Sequence, residues 1–212
     1  MKLLLVGINH NSAPLSVRER VAFVPEQIHL ALQDALACGL GEELAILSTC
    51  NRTEIYALGG EGDAVDDAKM LDWLSRFHHV ERSHLDDCCY ISRDSQALQH
   101  MMEVAAGLDS MVLGEPQILG QMKSAYALAA EAGTAASGMH QLFSQVFSVA
   151  KQVRTDTAIG ENPVSVAYAA VSLTQHVFSK LSKCTALLIG AGETIELVAR
   201  HLREKGVKRI II

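Results

Sequence analysis

Leu44-Ala45-Ile46-Leu47 runs into the hexapeptide Ser48-Thr49-Cys50-Asn51-Arg52-Thr53, which gives way to Glu54-Ile55-Tyr56-Ala57. Short apolar runs on both sides of a polar turn read as strands over residues 44–47 and 54–58. The turn carries a cysteine and an arginine two residues apart. In extended backbone such side chains share a face, so Cys50 and Arg52 are expected to meet one substrate, as nucleophile and carboxylate anchor. Free cysteine is among the most buried residue types. The polar flanks on both sides argue instead for a reachable thiolate.

Working outward, residues 3–8 read as a first strand. Pro25 opens a helix whose apolar positions Ile28, Leu32, Ala35 and Leu36 recur at helical spacing, until Gly39 and Gly41 stop it. After the strand at 54–58 come a Gly-rich turn at 59–62, a helix at 69–78 and a short strand at 89–91. The order strand, helix, strand, strand, helix, strand predicts a ferredoxin-like split βαβ sandwich. Alanine-rich helices follow: 95–106, one from about 118, 140–155 and 164–182. Between the first two lies the loop 107–117, rich in glycine and polar residues, a composition common in ligand-holding loops. A strand at 184–189, the turn Gly190-Ala191-Gly192, a helix at 193–205 and a strand at 207–212 then read as the start of a Rossmann-type α/β unit. Backbone N–H groups at such a turn favour a phosphate, though a tight turn alone would also call for glycine. Ile195 stands where a third glycine is usual. The residue that would read the ribose, about 20 positions on, coincides with the last residue, so the expectation is an incomplete cofactor domain.

With 212 residues, 49% hydrophobic and 20% charged, the chain has room for one domain and part of another. No apolar run approaches the roughly 20 residues of a membrane span, and the expected location is the cytoplasm. The five cysteines, Cys38, Cys50, Cys88, Cys89 and Cys184, are expected to be free thiols. A net charge of −6 argues against a general nucleic-acid binder. The basic residues Lys151, Arg154, Arg200, Arg203, Lys205, Lys208 and Arg209 read as solvated helix faces. His78, His79, His84, Cys88 and Cys89 cluster, but their spacing matches none of the usual paired-ligand patterns and no metal is expected.

Several stretches, in order, carry a resemblance: Gly7-Ile8-Asn9-His10 with Ala13-Pro14 and Arg18-Glu19-Arg20; residues 47–56; residues 107–121 with Lys123; Ala158-Ile159-Gly160 with Val164-Ser165-Val166-Ala167; and residues 190–202. Together they resemble the glutamyl-tRNA reductase family. The resemblance implies an NADPH-dependent oxidoreductase at the first step of tetrapyrrole synthesis (5-aminolevulinate, porphyrin, heme), reducing glutamyl-tRNA to glutamate-1-semialdehyde through a Cys50 thioester. It implies a substrate loop of Thr49, Cys50, Asn51 and Arg52, with Arg52 on the side-chain carboxylate. A second loop contributes Ser110, Glu115, Pro116, Gln117 and Gln121, with Glu115 on the α-ammonium. His100 is implied as the acid that protonates the departing ribose oxygen. The cofactor turn is implied at Gly190, Ala191, Gly192, Glu193, Thr194 and Ile195. Implied partners are glutamyl-tRNA, a second copy in a homodimer, and glutamate-1-semialdehyde aminomutase. The domains expected are a catalytic one at 1–155, a helical connector at 156–182 and the start of an NADPH-binding Rossmann domain at 183–212. The competing reading is a non-catalytic module that binds tRNA or a partner protein, with at most esterase activity.

Overall fold

The computed structural model describes residues 2–60, 65–160, 166–178 and 180–212. The front half runs β1 (Lys2–Asn9), α1 (Leu15–Arg18), α2 (Pro25–Ala37), β2 (Glu43–Ser48), β3 (Arg52–Gly59), α3 (Asp67–His78), α4 (Arg82–Cys88) and β4 (Tyr90–Arg93). The strands form one antiparallel sheet in the order β2-β3-β1-β4. Its register sets Gly7 opposite Glu54 on one side and Tyr90 on the other. All eight residues of β3 are buried. A strand buried throughout must be covered on both faces, which is why its sequence does not alternate cleanly between apolar and polar.

Local chemistry explains the element ends. Proline at the first position of α2 loses no needed N–H there, and Asp66 caps α3 by accepting from the N–H groups of Ala68 and Lys69. Trp73 on α3 donates to Asp34 on α2 at 2.7 Å, joining the two helices. β3 starts at Arg52, two residues earlier than its apolar content suggests, because Asn9 and Ser48 extend the ladder to Arg52 and Thr53. The short helix α4 is absent from the sequence reading. It ends where Cys89 donates its N–H to the Leu85 carbonyl, which delays β4 to Tyr90.

Three helices follow, α5 (Asp94–Ala106), α6 (Gln117–Glu131) and α7 (Ser137–Asp156). They join the same core as the sheet, with Tyr56 of β3 edge-on to Phe143 of α7. The link between α6 and α7 is sewn to β2. Leu44 donates to the Thr134 carbonyl at 2.7 Å, and the Thr134 hydroxyl donates back to the Leu44 carbonyl at 2.9 Å. Glu43 caps α7, accepting from the N–H groups of Ala136, Gly138 and Met139 at 2.6–3.0 Å.

The rear segment holds α8 (Val166–Val177), β5 (Thr185–Leu187), α9 (Glu193–Glu204) and β6 (Arg209–Ile211). β5 and β6 pair in parallel, and Val171, Leu181, Leu202 and Val207 form a second, smaller core. The helix expected to reach 182 ends at Val177, and a 3-10 turn at Leu181–Lys183 takes its place. Its expected start at Val164 and Ser165 lies outside the described residues, as do Glu61 and Gly62 of the expected turn. Among the described residues no helix is long and apolar enough to cross a membrane.

Candidate active site

The bend between β2 and β3 is built by Thr49. Its N–H donates to the Arg52 carbonyl at 2.8 Å, and its hydroxyl accepts from the N–H groups of Asn51 and Arg52 at 3.2 and 3.1 Å. Cys50 sits exposed in this bend. Arg18 braces it from outside, donating to the Cys50 carbonyl at 2.8 Å and to the Ala13 carbonyl at 3.2 Å. Because residues 49–51 are not strand, the two-residue period does not carry from Cys50 to Arg52. Their side chains part company: the cysteine is exposed and the arginine is 2% exposed.

Within β3 the period does hold, and Arg52, Glu54 and Tyr56 form a polar row under α5 and α7. The Glu54 carboxylate is fully buried. One of its oxygens accepts from Arg52 Nη1 at 2.7 Å, from the Tyr90 hydroxyl at 2.6 Å and from His100 Nε2 at 2.8 Å. The other accepts from the Tyr56 hydroxyl. Burial would raise this carboxyl, but the His100 hydrogen bond and the Arg52 charge outweigh it and hold it well below the usual range. Burial and the Glu54 charge push both phenols up, so they remain donors. For His100, burial works against protonation and the Glu54 contact overcomes it, raising the imidazole. As placed, His100 acts on Glu54. To protonate a leaving oxygen with Nε2 it would have to leave that contact.

Gly7 makes room for this cluster. A Cβ there would stand 2.8 Å from Glu54 Cγ and 3.0 Å from the Tyr90 ring. Gly7→Ala is therefore expected to cost about 1–3 kcal/mol by overpacking. Urea unfolding checks it, and a loss below about 0.5 kcal/mol would mean that Glu54 can move aside.

The second loop reaches the same cluster. Gly107 ends α5 in left-handed conformation (φ 82°), and its carbonyl accepts from the Gly114 N–H at 2.8 Å. Gly114 packs so closely on Ile159 that a Cβ would lie 2.9 Å from the Ile159 carbonyl oxygen. Arg154 of α7 donates to the Ala106 and Gly114 carbonyls, both at 3.2 Å. Expected on a solvated face, it instead pins this loop, because its half-buried guanidinium reaches both the Ala106 carbonyl, which the end of α5 leaves without a helical partner, and the Gly114 carbonyl within the loop. Thus held, the loop presents Asp109 to Arg52, at 3.0 Å through the carboxylate and also through the main-chain carbonyl. Asn9 Nδ2 donates to the same carboxylate at 3.2 Å.

Of the residues expected in this loop, Ser110 follows Asp109 and is half-buried. Burial raises the Glu115 carboxyl. Pro116 is the N-cap of α6, Gln117 its first residue, and Gln121 lies one turn on. Sequence reasoning passed over Glu54, Tyr56, Tyr90, Asp109, Asn9, Gly7, Arg18 and Arg154 as functional positions. For the first two a partial signal was present: with Arg52 they put a polar side chain at every second position, 52, 54 and 56, although polar Thr53 lies between them and blurs the period.

At the rear turn, Gly190 has φ 134° and Gly192 is the N-cap of α9. Among the described residues other than its chain neighbours, nothing lies within 4 Å of a Cβ built on Gly192. The open approach to the first N–H groups of α9, beside exposed Ala191 and Thr194 and half-buried Ile195, fits a dinucleotide phosphate. The Glu193 side chain lies outside the described residues. His78 packs edge-on against Phe23, and burial and neighbouring His79 lower it to about 4. Among the described residues no three His, Cys, Asp or Glu side chains converge as a metal site.

The family model described as "Glutamyl-tRNAGlu reductase, N-terminal domain" matches residues 6–157, and that described as "Shikimate / quinate 5-dehydrogenase" matches residues 172–212. A glutamyl-tRNA reductase of Saccharophagus degradans is 58% identical over all 212 residues, which span 49% of that relative. One of Pseudomonas aeruginosa is likewise 58% identical, with 50% of its length covered. The chain thus spans about half the length of the curated relatives it matches. Among solved structures, glutamyl-tRNA reductase from Methanopyrus kandleri matches with a TM-score of 0.66 and 33% identity, over 98% of this chain and 48% of that one.

Proposed function

The chain belongs to the glutamyl-tRNA reductase family, and on that premise we propose that Cys50 attacks the ester of glutamyl-tRNA and carries the glutamyl group as a thioester on the way to glutamate-1-semialdehyde. The observation that carries this reading is an exposed thiol in a braced bend, directly ahead of a buried, fully engaged arginine-carboxylate cluster. The Cys50 sulfur forms a bond to the ester carbonyl carbon, the carbon-oxygen ester bond breaks, and the ribose oxygen leaves with a proton. Arg52 is the anchor for the substrate carboxylate. Asp109 fills that place in the absence of substrate and yields it on binding, while Glu54 and His100 keep the guanidinium aimed. Thr49 and Asn51 shape the bend, and Ser110, Glu115, Pro116, Gln117 and Gln121 line the opposite side. Gly190, Ala191, Gly192, Thr194 and Ile195 would hold NADPH, which when bound would supply the hydride for reduction of the thioester. The domain limits of 1–155, 156–182 and 183–212 and the ferredoxin-like description of the first sheet belong to the same reading.

The test is acylation of the purified chain by glutamyl-tRNA, followed by acid quench and peptide mass mapping. A glutamyl adduct on the Cys50 peptide is expected, and an adduct on another cysteine, or none from folded protein, would overturn the reading. Brief, sub-stoichiometric iodoacetamide treatment should likewise label Cys50 first, because Cys38, Cys88, Cys89 and Cys184 are each partly buried. First labelling at Cys88 or Cys184 would remove the physical basis for choosing Cys50.

A further inference from the structure

We infer that His10 moves the proton of the acyl transfer, taking it from the Cys50 thiol and handing it to the departing ribose oxygen; this rests on the acyl-transfer reading above. The Cys50 sulfur gives up its proton as it bonds to the ester carbonyl carbon, and the ribose oxygen gains one as the carbon-oxygen bond breaks. One imidazole can accept the first proton and donate the second, so the step balances without another reactant.

The register of the sheet brings the histidine to the end where Cys50 lies. Asn9, the last residue of β1, stands opposite Arg52, the first residue of β3. Opposed residues of an antiparallel pair lie roughly 5 Å apart at Cα. His10 follows Asn9 directly and Cys50 precedes Arg52 by two residues, so both leave the ladder at this end. The turn that carries His10 is fixed: Asn9 Oδ1 accepts from the N–H groups of Asn11 and Ser12 at 2.9 and 3.1 Å, while Asn9 Nδ2 holds Asp109. The His10 ring feels the charges of Arg52, Asp109 and Arg18. Arg52 and Asp109 form the anchor pair, and Arg18 is the residue bonded to the Cys50 carbonyl. The histidine thus stands among the groups that surround the cysteine.

Two features of the ring suit this work. His10 Nδ1 is buried and has no hydrogen-bond partner. A buried polar atom left unpaired costs stability, so an orphan beside a reacting group points to a use outside the fold. Burial, joined by the charges of Arg52 and Arg18, also outweighs Asp109 and holds the imidazole below its ordinary value, hence neutral at pH 7 and able to accept a proton. His100 is not free in this way, since its Nε2 is engaged by Glu54 at 2.8 Å.

The test compares His10→Gln and His10→Ala with the wild-type 212-residue chain in two acylations of Cys50, each read by acid quench and peptide mass. Glutamyl-tRNA has a leaving oxygen that needs a proton, whereas a glutamyl aryl thioester has a leaving group that needs none. With glutamyl-tRNA near neutral pH both variants should lose about 10²–10⁴-fold in rate. With the aryl thioester at about pH 9, where the solvent removes the thiol proton, they should stay within about tenfold of wild type, which also shows that the site is folded. Added imidazole should restore His10→Ala on glutamyl-tRNA by about tenfold or more, because the shortened side chain leaves room for it, and should not speed the wild type. A histidine with a merely structural role would slow both reactions alike and gain nothing from imidazole. Equal losses on the two substrates, or no gain from imidazole, would therefore overturn the inference. If neither substrate acylates Cys50 in the wild type, the failure is that of the acyl-transfer reading. If both do and His10→Gln keeps the wild-type rate on glutamyl-tRNA, the His10 assignment fails alone.

Discussion

Glu54→Gln lowers the unfolding free energy by about 3–5 kcal/mol, the cost of breaking a buried charge pair from one side. The carboxylate accepts from Arg52, Tyr90 and His100 on one oxygen and from Tyr56 on the other. A carboxamide replaces one acceptor with a donor, so its N–H faces a donor already in place while Arg52 keeps its charge. The pH dependence follows from the depressed pKa, about 2 against an ordinary 4.5. A carboxylate lowered on folding contributes fully above its unfolded value and loses that contribution as pH falls from roughly 4.5 towards 2. The wild-type chain should therefore lose stability steeply along this acid limb, and Glu54→Gln much less so. Urea unfolding at several pH values measures both. A loss under about 1 kcal/mol at neutral pH, or parallel acid limbs, would show that the cluster is not held by the Glu54 charge.

On the acyl-transfer proposal, Cys50→Ser is expected to abolish the acyl-enzyme while leaving the fold intact. A hydroxyl is a far poorer nucleophile than a thiol, so acyl transfer should fall by at least about 10³-fold, roughly 4 kcal/mol. Cys50 is exposed and its side chain is not part of the core, so the unfolding free energy should change by less than about 0.5 kcal/mol. The combination is diagnostic. Wild-type rates of glutamyl-tRNA cleavage by the serine variant would remove Cys50 from the chemistry, and a collapse of stability would make any loss of rate uninterpretable as loss of a nucleophile.

Much of the fold is legible along the chain because helices and strands announce themselves by short-range period. The apolar spacing of α2, the Gly-rich turn before α9 and the strands on both sides of the Cys50 bend all rest on contacts within a few residues. Legibility fades where an element is set by its partner. The first residues of β3 carry polar side chains and join the ladder only because β1 and β2 offer them a register. The helix α4 is too short to show a period, and the end of α8 gives way to a 3-10 turn on the smaller core.

The site divides along the same line. From its sequence alone the chain placed a cysteine and an arginine in a polar turn between strands, a glycine-bounded loop before α6 and a phosphate-type turn before α9. Only the tertiary structure decided that the cysteine faces solvent while the arginine is buried, and that Glu54 and Asp109 hold it. Those contacts join residues far apart in the chain: Asn9 to Asp109 spans 100 positions, Arg52 to Asp109 spans 57, and Glu54 to His100 spans 46. A residue's period fixes the face it points to. Whether that face meets water, a carboxylate or another helix depends on what the rest of the chain packs over it, and with that go its burial and its charge state.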